Sequence, residues 1–142
     1  MKHANLPQVQ YVEDLFVYEQ DFSSLAANGS ATANVAVQAD SDFKLMKMTY
    51  MADIAGGAVT DDARIIPLVT VQITDTGSGR ALFSTPIPIP NIFGTGEIPF
   101  ILPVARIFKA RSNITVAVAN YSAGTTYNLR LSLIGTKVFK LG

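Results

Sequence analysis

Residues 113–134 read NITVAVANYSAGTTYNLRLSLI, and the alternation in this stretch decides the fold class. From Asn113 to Asn120, Ile114, Val116 and Val118 fall on one face of an extended chain, and Thr115, Ala117 and Ala119 fall on the other. A period of two marks a half-buried strand, because successive side chains of an extended backbone point to opposite sides. The next segment repeats the pattern, with Tyr127, Leu129, Leu131 and Leu133 set against Asn128, Arg130, Ser132 and Ile134. Between them Ser122-Ala123-Gly124-Thr125 has turn chemistry, so the two strands are expected to form a hairpin.

Working outward, further strands are expected over residues 15–19, 33–39, 43–51, 64–74 and 80–85, with a short one at 98–102. Asn28-Gly29, Gly56-Gly57 and Gly77-Ser78-Gly79 supply the permissive backbones that tight reversals need. About eight strands, and at most a turn or two of helix near residues 91–94 after Pro90, imply an all-β chain. The expected architecture is a single-domain antiparallel β-sandwich of jelly-roll or Greek-key type. Residues 1–10 read as a flexible N-terminal arm and residues 11–142 as the sandwich domain. Within it, Pro86, Pro88, Pro90, Pro99 and Pro103 remove ladder donors, so residues 86–103 read as an ordered connection that cannot be central sheet. Ile87, Ile89, Ile92, Phe93, Phe100 and Ile101 would fasten that connection to apolar surface, most of them to the chain's own core.

Composition narrows the chemistry. The chain has 142 residues, 49% of them hydrophobic, enough for one domain with a real core. Only 15% are charged, against about 25% in ordinary soluble domains, so much of the surface is neutral. Cysteine is absent, which removes disulfides and thiolate chemistry. The opening MKHANLPQVQYVEDLF lacks the continuous apolar stretch of a secretory signal, and no run approaches a membrane span, so synthesis in the host cytoplasm and no membrane partner are expected. The sequons at Asn28, Asn113 and Asn120 then read as chance.

Charge is unevenly spread. All eleven acids lie at or before Glu97, alongside five bases, and the remainder carries only Arg106, Lys109, Arg111, Arg130, Lys137 and Lys140. Either strands from the two parts neighbour one another within the sandwich, or the imbalance serves docking between subunits or on an acidic partner.

Reactive constellations are few. Asp75-Thr76-Gly77 matches the Asp-Thr-Gly of dimeric aspartic proteases, with Leu133-Ile134-Gly135 as an imitation of their downstream motif. The polar Thr74 occupies a position that is apolar in those enzymes, and Asp75 to Gly79 is also good turn chemistry. His3 is the single histidine, in the N-terminal arm, which leaves no histidine triad or histidine metal site. Asp40, Asp42, Asp61 and Asp62 lack the spacing of a calcium loop. Gly94-Thr95-Gly96 lacks the rest of a dinucleotide fingerprint, and Arg106, Lys109 and Arg111 around Phe108 lack the aromatic platforms of a nucleic-acid site. No catalytic residue, cofactor, metal or nucleic-acid partner is expected.

From Gly79 onward the chain carries a Gly-Arg-Ala-Leu entry into an X-Pro-X-Pro run, an Ile-Phe-Gly-Thr-Gly step, Pro-Phe-Ile-Leu-Pro, an Arg-Ile-Phe-x-Ala-Arg-Ser segment and a Tyr-Asn-Leu-Arg-Leu strand. This pattern, with Ser41-Asp42-Phe43-Lys44-Leu45 earlier, resembles the small jelly-roll cement or decoration proteins of tailed bacteriophages. The resemblance implies a structural virion protein on the capsid exterior, stabilising an assembled shell. Its partners would be the major capsid protein and further copies of itself, as a dimer or trimer. Ile92, Phe93, Phe100, Arg106, Lys109 and Arg111 are the expected contact residues, being apolar or basic and close to a segment excluded from central sheet. The alternatives are a head-fibre or tail module that binds a receptor or glycan, and the dimeric protease.

Overall fold

The computed structural model describes residues 10–56 and 65–141. Among the described residues nine strands follow in chain order: β1 (Gln10–Leu25), β2 (Ser30–Ala36), β3 (Asp42–Ile54), β4 (Val69–Asp75), β5 (Arg80–Ala81), β6 (Ile87–Pro88), β7 (Phe100–Phe108), β8 (Asn113–Asn120) and β9 (Tyr127–Leu141). A single helical turn, α1 (Ile89–Ile92), precedes β7. One sheet has the order β1-β9-β3-β7, the other β2-β8-β4-β5 with β6 also beside β4, and every ladder is antiparallel. Apart from β4 to β6, each strand hands the chain to the opposite sheet. With β5 and β6 counted as one broken strand, this is the eight-strand winding of a jelly roll.

The winding corrects the expected hairpin. β8 lies between β2 and β4, and β9 lies between β1 and β3, so residues 121–126 cross from one sheet to the other. Both strands bury a full row of branched side chains and need a neighbour on each side, which pairing with each other at an edge would not supply. Asn120 holds the crossing: its Nδ2 donates to Leu25 O at 3.0 Å and to Thr125 O at 2.7 Å, and its Oδ1 accepts from Ser122 N at 2.9 Å.

The core fills the space between the sheets. Val69, Val71, Ile73, Ile114, Val116 and Val118 face Phe43, Leu45, Met48, Leu129, Leu131 and Leu133. Tyr18 packs edge-on against Phe43 at 4.8 Å and against Phe16 at the same distance. These rows are the ones the period-two alternation marked.

Lengths differ from expectation where pairing, not burial, holds the strand. β1 begins at Gln10, which pairs with Leu141, so this residue belongs to the sheet and not to an arm. Residues 1–9 lie outside the described residues, as do Asp61, Asp62 and Arg64. Residues 65–68 are not strand, and the strand expected over 80–85 shortens to two residues. In the proline-rich connection the helical turn starts two residues earlier than expected, because Pro90 falls in its first turn, where a missing N–H costs nothing. Gly94 then docks on the edge of β3, donating to Met48 O and accepting from Tyr50 N. Here only glycine fits: a Cβ would lie 2.1 Å from Ile98 O.

Candidate functional site: an apolar rim and an adjoining groove

The six expected contact residues separate into three environments. Phe93 is only 2% exposed and is a core residue, which corrects its assignment as contact surface. The cause is local: Phe93 N donates to Ile89 O at 2.8 Å, so one helical turn places Ile89 and Phe93 on the same side, between the sheets. Ile92 and Phe100 are half-buried and pack against that core. Apolar residues of the connection therefore fasten it mainly to its own domain.

Exposed apolar surface lies instead on Ile98 and Val104, and on Ile101, which was expected to fasten the connection to apolar surface. Ile98 is 79% exposed, Ile101 64% and Val104 81%. Register explains Val104, while Ile98 stands in the bend before β7. Lys47 of β3 pairs with Ile101, and Leu45, two residues earlier, pairs with Arg106, so residues 102–105 are looped out of the ladder around Pro103. An irregularity of this size blunts an edge against further strand pairing while lifting side chains into solvent. A run of three apolar residues closed by proline, Phe100-Ile101-Leu102-Pro103, was the available signal, because alternation cannot place every member of such a run inside.

The basic residues are largely answered within the chain. Arg106 Nη2 lies 3.3 Å from Asp75 Oδ2 and also donates to Ser78 Oγ. Lys109 Nζ is 3.4 Å from Asp42, whose other oxygen accepts from Ala110 N. Lys137, nearly buried, reaches Asp40 at 3.2 Å and Gln38, with its ammonium 4.2 Å from the Phe16 ring centre. Bases from the last third thus sit on acids from the first part, so neighbouring strands absorb much of the imbalance. Arg111 is exposed, in the left-handed region at φ 67°, and its amide bonds to Val37 O.

Asp75 of the Asp-Thr-Gly motif is 4% exposed at the end of β4. Its Oδ1 accepts from Gly77 N at 3.0 Å and its carbonyl from Gly79 N at 2.8 Å, the geometry of a closed turn. Asp40 and Asp42 each face a lysine, and no group of three or more potential metal ligands occurs among the described residues. No helix among them is long and apolar enough to cross a membrane.

Beside the rim, a groove of about 440 Å³ opens over the outer face of the β1-β9-β3-β7 sheet. Glu19, Ser132, Thr49, Arg130 and Met51 line it, with Thr95 from the loop before β7. Ser132 Oγ donates to Glu19 Oε1. Further along the same face, Glu13 accepts from Thr136 Oγ1 at 3.0 Å and lies 3.3 Å from Lys44 Nζ. The Thr136 hydrogen bond first, then the Lys44 hydrogen bond and charge, hold its carboxyl below the usual range.

Comparison with protein-family models, curated proteins and solved structures returned no match to this chain.

Proposed function

We propose that this chain is a cement subunit of a tailed-phage capsid, a structural protein that binds the outside of an assembled shell and ties its major capsid proteins together. The single observation that carries the reading is the pair Ile98 and Val104, large branched side chains standing in solvent, the first in the bend before β7 and the second on its looped-out stretch. Burying one such side chain is worth about 1.5–3 kcal/mol, so a few per subunit give modest contacts that a symmetric lattice multiplies. The low charge content, the exposed Arg111 and Lys109 beside β7, and the sequence pattern from Gly79 onward support the same reading.

The test is copy number. Purified particles of the source phage should contain this chain in near-stoichiometric ratio to the major shell protein after washing, and its absence from particles would sink the reading. Val104→Asp with Ile98→Asp should abolish retention on the particle while leaving the fold intact. Retention at the wild-type copy number would remove the rim from the contact.

A second reading, a receptor- or glycan-binding module, is favoured by the groove, where Glu19 and Arg130 lie beside the hydroxyl side chains of Thr49, Thr95 and Ser132 and the partly buried Tyr50. A handful of copies per particle, instead of a lattice-matched number, would select it.

A further inference from the structure

The outer face of the β1-β9-β3-β7 sheet carries a stripe that runs from edge to edge. Ladder register sets its rows. In one, Leu15, Thr136, Lys44 and Ile107 stand side by side; in the next, Val17, Ile134, Lys47 and Ile101 do. Leu15 is 75% exposed, and Val17, Ile101 and Ile107 are also exposed. Each row therefore has an exposed apolar residue at both ends and a lysine on β3. Acids flank the stripe mainly on β1: Glu13 in the row before it, and Glu19 and Asp21 in the rows after, while Asp42 of β3 shares the Glu13 row and is paired with Lys109. The outer face of the other sheet has nothing similar, being made of Thr32, Asn34, Thr115, Ala117, Thr70 and Gln72.

We infer that this stripe is the interface of a homodimer, in which two copies stack these sheets face to face about a two-fold axis running along the strands between β9 and β3. That operator places β1 opposite the partner's β7 and β9 opposite the partner's β3. Leu15 then meets the partner's Ile107, and Val17 meets the partner's Ile101. Lys47 comes over the partner's Ile134, next to the partner's Glu19. Apolar ends fall on apolar ends and lysines fall toward acids, which is the self-complementarity an isologous contact demands and a shell surface does not. Aligned face-to-face packing is also a natural arrangement for twisted sheets.

The size fits a weak dimer. The nine positions from Glu13 to Asp21 at about 3.3 Å each, and four strands at about 4.8 Å, cover about 570 Å² per copy. The total, about 1,100 Å², just clears the ~1,000 Å² expected of a specific interface. This contact uses the sheet face and leaves Ile98 and Val104 on the rim, so it deepens the oligomeric side of the cement reading without depending on shell binding.

Sedimentation of the full chain alone, from about 1 to 100 μM, tests it with no shell present, so a failure here is separate from a failure to bind particles. A monomer–dimer equilibrium is expected, lost in Val17→Lys, whose exposed site tolerates the change, with the thermal transition retained. Because the chain has no cysteine, register is testable by cross-linking. Leu15→Cys with Ile107→Cys should give a covalent dimer with a short bismaleimide, and Leu15→Cys alone should not. A chain monomeric throughout the range, or cross-linking by Leu15→Cys alone, which would mean that β1 strands pair edge to edge, overturns the proposal.

Discussion

Arg106 on β7 and Asp75 on β4 form an ion pair that joins the two sheets, with Nη2 3.3 Å from Oδ2. The carboxylate is almost wholly buried, and its other oxygen holds the turn at Gly77. Arg106→Ala strands that charge. A buried charge that loses its partner costs more than the net worth of the pair, so a loss of about 2–3 kcal/mol is expected. Urea denaturation should show a lower midpoint with an unchanged slope. Adding Asp75→Asn to the variant should recover part of the loss, because the amide oxygen still accepts from Gly77 without needing a cation.

Asn120 makes three hydrogen bonds at the crossing between β8 and β9, two of them donated, to Leu25 O and Thr125 O. Asn120→Ala removes all three at a buried corner, leaving Thr125 O with the Ser122 hydroxyl. A destabilisation of about 2–3 kcal/mol follows from about 1 kcal/mol per bond. Thermal unfolding with a shift under one degree would show that water replaces the amide fully.

Gly135 lies opposite the register shift between Leu45 and Lys47, where a Cβ would come within 1.9 Å of Lys44 O. Backbone cannot yield as a side-chain tip can, so Gly135→Ala should cost more than about 3 kcal/mol or prevent folding. Gly124→Ala, with open space around the added methyl, should stay within about 0.5 kcal/mol. Soluble yield and denaturation midpoints of the two variants check the contrast.

Phe93→Ala should destabilise by about 3–5 kcal/mol, since it empties a core position, whereas Val104→Ala should leave stability nearly unchanged. Equal effects in chemical denaturation would contradict the burial difference. The comparison also guards particle-binding assays, in which a Phe93 variant fails through unfolding.

Glu13 titrates below the ordinary glutamate range in the folded chain. A depressed folded pKa stabilises the fold above the unfolded value, and the contribution disappears as pH falls through the folded pKa. The window therefore lies below about pH 5, and the effect is small because the group is exposed and screened by solvent. A carboxyl-carbon NMR titration should place the Glu13 midpoint below that of a model glutamate. Thr136→Val should raise it, since the Thr136 hydrogen bond is the largest single cause, and Lys44→Met, which removes both a hydrogen bond and a charge, should raise it too.

The rows Ile114, Val116, Val118 and Leu129, Leu131, Leu133 were legible as inward faces, because a two-residue period has one geometric reading. Strand β8 keeps its expected limits for the same reason. Strand β1 was only partly legible: its first residues are exposed on both faces, and pairing with β9 holds them without leaving an alternating pattern. The rim was not legible. Which of Ile98, Phe100, Ile101, Leu102 and Val104 turns outward depends on the looped-out residues against β3, and register is a relation between segments.

Local chemistry thus determined that this chain is an antiparallel β-sandwich, where its strands alternate, and that prolines keep residues 86–103 out of central sheet. Tertiary structure decided which strands are neighbours, that β8 and β9 part company, that Phe93 turns inward while Val104 stands in solvent, and that Arg106 finds Asp75. The physical reason is that side-chain period and turn chemistry are set within a few residues. Pairing partners are chosen by the burial of whole faces, a free energy that exists only once both sheets are assembled.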